Sequence, residues 1–140
     1  MQQKGGRGSW ELQISDPKVD PNKISRVLGL EPNKTVRAGE PIITPSGDET
    51  GSIHSWSKWI YRIPFEPGEA AELALADLVD YFSNKYEMLS ELLTDDAYIE
   101  LYARASNCDY IMTMISPAII QQLAKCNMRY GYEFFQGQNE

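Results

Sequence analysis

Histidine and cysteine are scarce in this chain: one imidazole, His54, and two thiols, Cys108 and Cys126, stand among 140 residues. Two cysteines make no disulfide framework, and no CxxC pair or Cys/His cluster offers the spacing of a zinc site. A single histidine limits the commonest acid–base group to one place. No GxSxG nucleophile elbow occurs, and no glycine pattern that would cradle a phosphate. Apolar runs fall far short of the ~20 residues that a membrane-spanning helix needs. The opening MQQKGGRGSW has charge and no apolar stretch, unlike a signal peptide. These absences lead us to expect a cytoplasmic protein without a metal, a cofactor, a membrane partner or a catalytic residue.

What is present is one domain's worth of chain, residues 1–140, with 42% hydrophobic and 24% charged side chains. The net charge of −7 is unevenly placed. Residues 1–64 carry a slight basic excess and residues 101–140 are balanced, whereas residues 65–100 hold ten acidic groups against Lys85 alone. Such a surface repels phosphate backbones, so nucleic acid is not the expected partner, despite a small group of Lys34, Arg37, Lys58 and Arg62. An acidic flank attracts a basic partner and speeds its encounter.

Hydrophobic spacing places the elements. Trp10, Leu12 and Ile14 alternate with polar residues over Ser9–Ser15, the pattern of a half-buried strand, after eight flexible N-terminal residues. Asp20 and Pro21 open a short helix with Ile24, Val27 and Leu28 on one face, and Gly29 closes it. A brief strand is expected from Lys34, then an irregular loop from Gly39 to Trp56, and a strand over Lys58–Phe65. Leu75, Leu78, Val79, Phe82, Tyr86, Leu89 and Leu93 stripe one long helix over Glu69–Asp95, about 40 Å at 1.5 Å per residue, with a break near Ser83-Asn84 foreseen. Tyr98–Ala105 reads as a strand, Ser106 to Asp109 as a hairpin turn into Tyr110–Ile115, Ser116-Pro117 as the start of a third helix, and Tyr130–Phe135 as the last strand before a frayed end at 137–140. The expected fold is α+β: a mostly antiparallel sheet with one long and two short helices on one face. A likeness between the Asp16-Pro17 and Pro117 regions reads as two related strand–helix–strand halves.

Chemistry is thinly signalled. His54 lies in the irregular loop, where a catalytic set would be poorly held. Cys126 falls near a helix C-terminus, which disfavours a thiolate. At ~100° per residue, Glu69, Asp80, Glu87, Glu91 and Asp95 share the flank opposite the apolar stripe. Tyr98 and Tyr102 share a strand face with Glu100 and Arg104, and tyrosines set among charges suit a protein interface.

The run DPNKISRVLGLEPNKTVRAGE, followed by Trp56 or Trp59 and by PAIIQQLAKCNMRYGYEFF, resembles the bacterial family known as domain of unknown function 4279. The likeness covers most of the chain and rests on structural punctuation, Leu28-Gly29-Leu30 and Pro32, rather than on chemical residues. It implies a small bacterial intracellular domain and names no chemistry. The acidic helix and the Gly39–Trp56 loop read as local elaborations.

Three functions are weighed from these features, the third being an assembly or scaffold role through a homodimer. The first is a non-catalytic bacterial immunity protein that covers the active site of a basic toxin domain, with Asp80, Glu87, Glu91, Asp95, Tyr98 and Tyr102 meeting the partner. The second is a small-molecule binder or enzyme whose Gly39–Trp56 loop closes an aromatic pocket formed by Trp56 and Trp59, with Arg37 and Arg62 meeting an anionic group.

Overall fold

A computed structural model describes residues 7–65, 69–106 and 115–135. Strand β1 (Arg7–Asp16) lies at the centre of a five-stranded sheet, antiparallel to β5 (Ser57–Phe65) on one side and to β6 (Tyr98–Ser106) on the other. The short β2 (Lys34–Val36) edges β5, and β7 (Met128–Phe135) edges β6, so the order is β2-β5-β1-β6-β7. β7 runs parallel to β6, which makes the sheet mixed rather than antiparallel throughout.

Among the described residues four helices join these strands. Helix α1 (Pro21–Leu28) begins where Asp20 accepts a hydrogen bond from the Asn22 amide and ends at Gly29 in the left-handed region, as its sequence requires. The stretch expected to form one long helix is instead α2 (Glu69–Ser83) and α3 (Tyr86–Leu92). At the joint the Ser83 hydroxyl donates back to the Asp80 carbonyl, and the Lys85 amide bonds the Phe82 carbonyl in a tight turn. Ser and Asn compete for backbone groups in this way, which is why the foreseen break falls at Ser83-Asn84. Helix α4 (Pro117–Lys125) is capped by the Ser116 hydroxyl and carries the chain across from β6 to β7.

Topologically, β1-α1-β2 and β5-α2/α3-β6 interlock into a βαββαβ unit, the ferredoxin-like arrangement, and α4-β7 adds a fifth strand outside it. These interlocked halves differ from the two that the sequence likeness picks out. The second of those begins with the expected hairpin and strand at Ser106–Ile115, most of which lies outside the described residues.

The four helices cover one face of the sheet. Trp10, Leu101 and Ala103 pack beneath Leu75, Leu78, Val79, Ile119 and Leu123, while Leu12, Ile14, Trp59 and Ile99 pack beneath Ile24, Leu28, Phe82 and Leu89. Tyr61 and Met128 touch both groups and join them into one core. α1 packs on α3 and α2 on α4.

The expected loop at 39–56 is largely a β-ribbon. β3 (Pro41–Ile43) pairs with β4 (Glu49–Ile53), and the base is tied by the Gly39 amide to the His54 carbonyl and the His54 amide to the Glu40 carbonyl. Gly47, with φ of +98°, makes the tip turn that a side chain would strain. Every residue of β4 is exposed. Alternation failed to reveal these strands because neither face of the ribbon is buried.

Candidate functional site

The sheet face opposite the helices is polar, and its register brings opposite charges side by side. Glu11, on the central strand, faces Arg62 across β5 and Tyr102 across β6. Its Oε1 accepts from Arg62 Nε at 2.6 Å and from Arg104 Nη1 at 3.0 Å, and its Oε2 accepts from Gln13 at 2.6 Å. Arg104 also bonds Glu133 of β7. One row away, Glu100 accepts from the Tyr102 hydroxyl and from Arg129, whose guanidinium lies 4.5 Å above the Tyr98 ring. Trp56 also packs against Tyr98, at 5.4 Å between ring centres. Gly131 permits this packing, since a Cβ there would stand 2.5 Å from the Tyr102 ring.

Glu11 is almost fully buried at 3% exposure. Burial pushes its carboxyl up, but hydrogen bonds from Arg62 and Gln13 and the charge of Arg104 outweigh that and hold it below the usual carboxylate range. A buried carboxylate paired with two arginines and bonded to a glutamine is a structural ion pair, and its lowered pKa makes it a weak base toward a substrate proton. Asp16 is engaged just as fully: its two oxygens accept from the amides of Lys18, Val19 and Thr94 and from the Thr94 hydroxyl, all at 2.7–2.8 Å. Burial raises the Asp16 carboxyl, and these four donors lower it further still, to a net depression. Cys126 is buried, and burial raises its thiol, away from the thiolate a nucleophile needs. His54 sits at the base of the ribbon, where its backbone closes the hairpin.

On the helical side, α2 and α4 leave an open groove of about 790 Å³ between them. Leu73, Ala76, Ala118 and Ile119 supply apolar surface, and Glu72, Asp77 and Asp80 stand along α2 as an acidic rim, completed by Ser116 and Gln122. Among the described residues neither lysine nor arginine lines it. Spacing explains the rim: Glu72, Ala76 and Asp80 are each four apart, and Leu73 and Asp77 repeat that step one residue on. Leu73 is 69% exposed, an apolar side chain left without cover among the described residues.

A family model for a domain of unknown function, DUF4279, matches residues 7–132. The chain belongs to the DUF4279 family. No curated protein and no solved structure matches it. The match runs through β1 to most of β7, so the β3–β4 ribbon and the α2–α3 pair lie within the DUF4279 span.

Within this DUF4279 domain the residues singled out for partner binding occupy two faces. Asp80 lines the α2/α4 groove; Glu87 and Glu91 are exposed on α3, and Asp95 follows α3 in a loop. The turn at 84–85 interrupts the helical wheel that placed these acids on one flank. Tyr98 and Tyr102 lie across the sheet on its polar face, packed into the ion-pair rows. The alternative ligand set is divided too. Trp59 is fully buried in the core, its indole N–H donating to the Ser25 hydroxyl, while Arg62 lies on the opposite face bound to Glu11. Arg37 pairs with Asp20 at the start of α1, and Trp56 lies half-buried beside Tyr98. These four residues do not line one pocket. Sequence reading passed over Glu72, Asp77 and Leu73 because it followed a longer helix and had no view of α4 as the opposite wall.

Proposed function

We propose that the chain is a non-catalytic protein-binding domain that takes a basic partner into the α2/α4 groove, in the manner of an immunity protein covering a toxin's active site. The observation that carries this reading is the acidic rim over uncovered apolar surface, Glu72, Asp77 and Asp80 beside the exposed Leu73 and Ala118. Apolar surface supplies affinity once water leaves it, and a one-signed rim supplies encounter rate and selection against acidic partners. Glu87 and Glu91 extend the acidic field along α3, adding to long-range attraction without lining the groove. The engagement of Glu11 in ion pairs and of Asp16 in four hydrogen bonds supports the non-catalytic part, since both buried carboxylates already serve the fold.

The test begins by retaining partners on the immobilised full-length chain, from lysate of its source with the neighbouring genes expressed, at moderate salt. A basic protein held in a fixed stoichiometry is expected. Asp77→Lys with Asp80→Lys is then expected to weaken its binding at least about tenfold, while Glu87→Lys with Glu91→Lys mainly slows association and flattens its salt dependence. Retention of no basic protein, or binding indifferent to the groove pair, sinks the proposal.

A further inference from the structure

We infer that β7 is a self-pairing edge and that two copies of this chain join through it, antiparallel, into one ten-stranded sheet. Among the described residues β7 is the end strand of the sheet, hydrogen-bonded to β6 alone, and no strand pairs with its outer edge. An uncovered edge is ordinarily blunted by shortness, proline or lysine. This one is eight residues long, MRYGYEFF, and has neither. Its two charged side chains, Arg129 and Glu133, are of opposite sign and bond Glu100 and Arg104 on β6 while staying largely exposed, so they set no single-signed guard on the edge and can still meet charges of a second copy. Tyr130 and Tyr132 are 43% and 57% exposed on the helix-side face, where large aromatic surface is uncovered.

The occupant is identified by the strand's own symmetry. When β7 pairs with a second β7 about Gly131, Arg129 stands opposite the second copy's Glu133, Tyr130 opposite its Tyr132, and Gly131 opposite itself. Each charge meets its opposite and each tyrosine a tyrosine, twice over, as a two-fold interface requires. A shift of two residues to either side loses the charge match. The axis stands perpendicular to the sheet, so both helical layers stay on the same side. This interface is independent of the groove proposed above.

Sedimentation velocity of the full chain across a concentration series tests it, with far-UV circular dichroism as the check on folding. The wild type is expected to be dimeric. Tyr130→Lys with Tyr132→Lys sets like charges opposite each other and is expected to raise the dimer dissociation constant about tenfold or more, as does Tyr130→Glu with Tyr132→Glu. An equimolar mixture of the two variants is expected to form a heterodimer, because each lysine then faces a glutamate. Hydrogen exchange on the wild type needs no substitution: β7 amides are expected to gain protection as concentration rises. A wild type that is monomeric throughout, variants that fold and dimerise like the wild type, a mixture that does not cross-associate, or β7 amides indifferent to concentration would each overturn the proposal.

Discussion

Asp16 and Glu11 are both buried carboxylates, and each is kept charged by different means. Asp16 relies on neutral donors, with Thr94 tying the end of β1 to the turn before β6; Glu11 relies on two arginines and a glutamine. Both folded values lie below the ordinary ones, so each contributes stability that is fully present above the unfolded values of ~3.9 and ~4.3. That stability is lost as pH falls through the depressed folded values. The wild type is therefore expected to lose unfolding free energy steeply below pH ~4. Asp16→Ala, which strands buried amide donors, is expected to cost about 3 kcal/mol at neutral pH and to show a shallower acid slope. Urea denaturation at a series of pH values measures both; an unchanged slope in the variant would remove Asp16 from the account. Neither role was legible beforehand. Asp16 reads as the end of a strand at Asp16-Pro17, and its partner Thr94 is 78 residues away.

Among the elements, the β3–β4 ribbon has the fewest ties. Its base is closed by backbone bonds from Gly39 and His54, and among the described residues no other element packs extensively against it. Replacing residues 41–53 with a short glycine-containing turn is expected to change stability by no more than ~0.5 kcal/mol, because little buried surface is lost and a closed loop is shortened. A larger fall in the urea midpoint would show that the ribbon supports the sheet. Helix α1 behaves in the opposite sense: its eight residues are too few to hold a helix alone. Its cap at Asp20 and stop at Gly29 were readable because both act within a few residues. The ribbon was not readable because an element exposed on both faces leaves no periodicity.

Across the whole molecule, two groups of buried side chains share one sheet. Ile119 belongs to the group under α2 and α4, and Ile24 to the group under α1 and α3. Ile119→Val and Ile24→Val are each expected to cost ~0.5–1.5 kcal/mol. The double variant should match their sum within about 0.5 kcal/mol and still unfold in a single transition. Two separate transitions would mean that the groups fold independently despite Tyr61 and Met128 bridging them.

By itself the sequence determined the caps of α1 and the start of α4, the inward faces of β1, β5 and β6, the position of the break at Ser83-Asn84, and the family. All of these are written in residues a few positions apart, where φ/ψ preference and side-chain period act. Only the tertiary structure decided that β7 lies parallel to β6 and that α4 walls a groove with α2. It also set Trp59 and Arg62 on opposite faces and gave Glu11 its arginines. Those outcomes depend on which distant segments become neighbours, and that follows from how the whole apolar surface is buried at once.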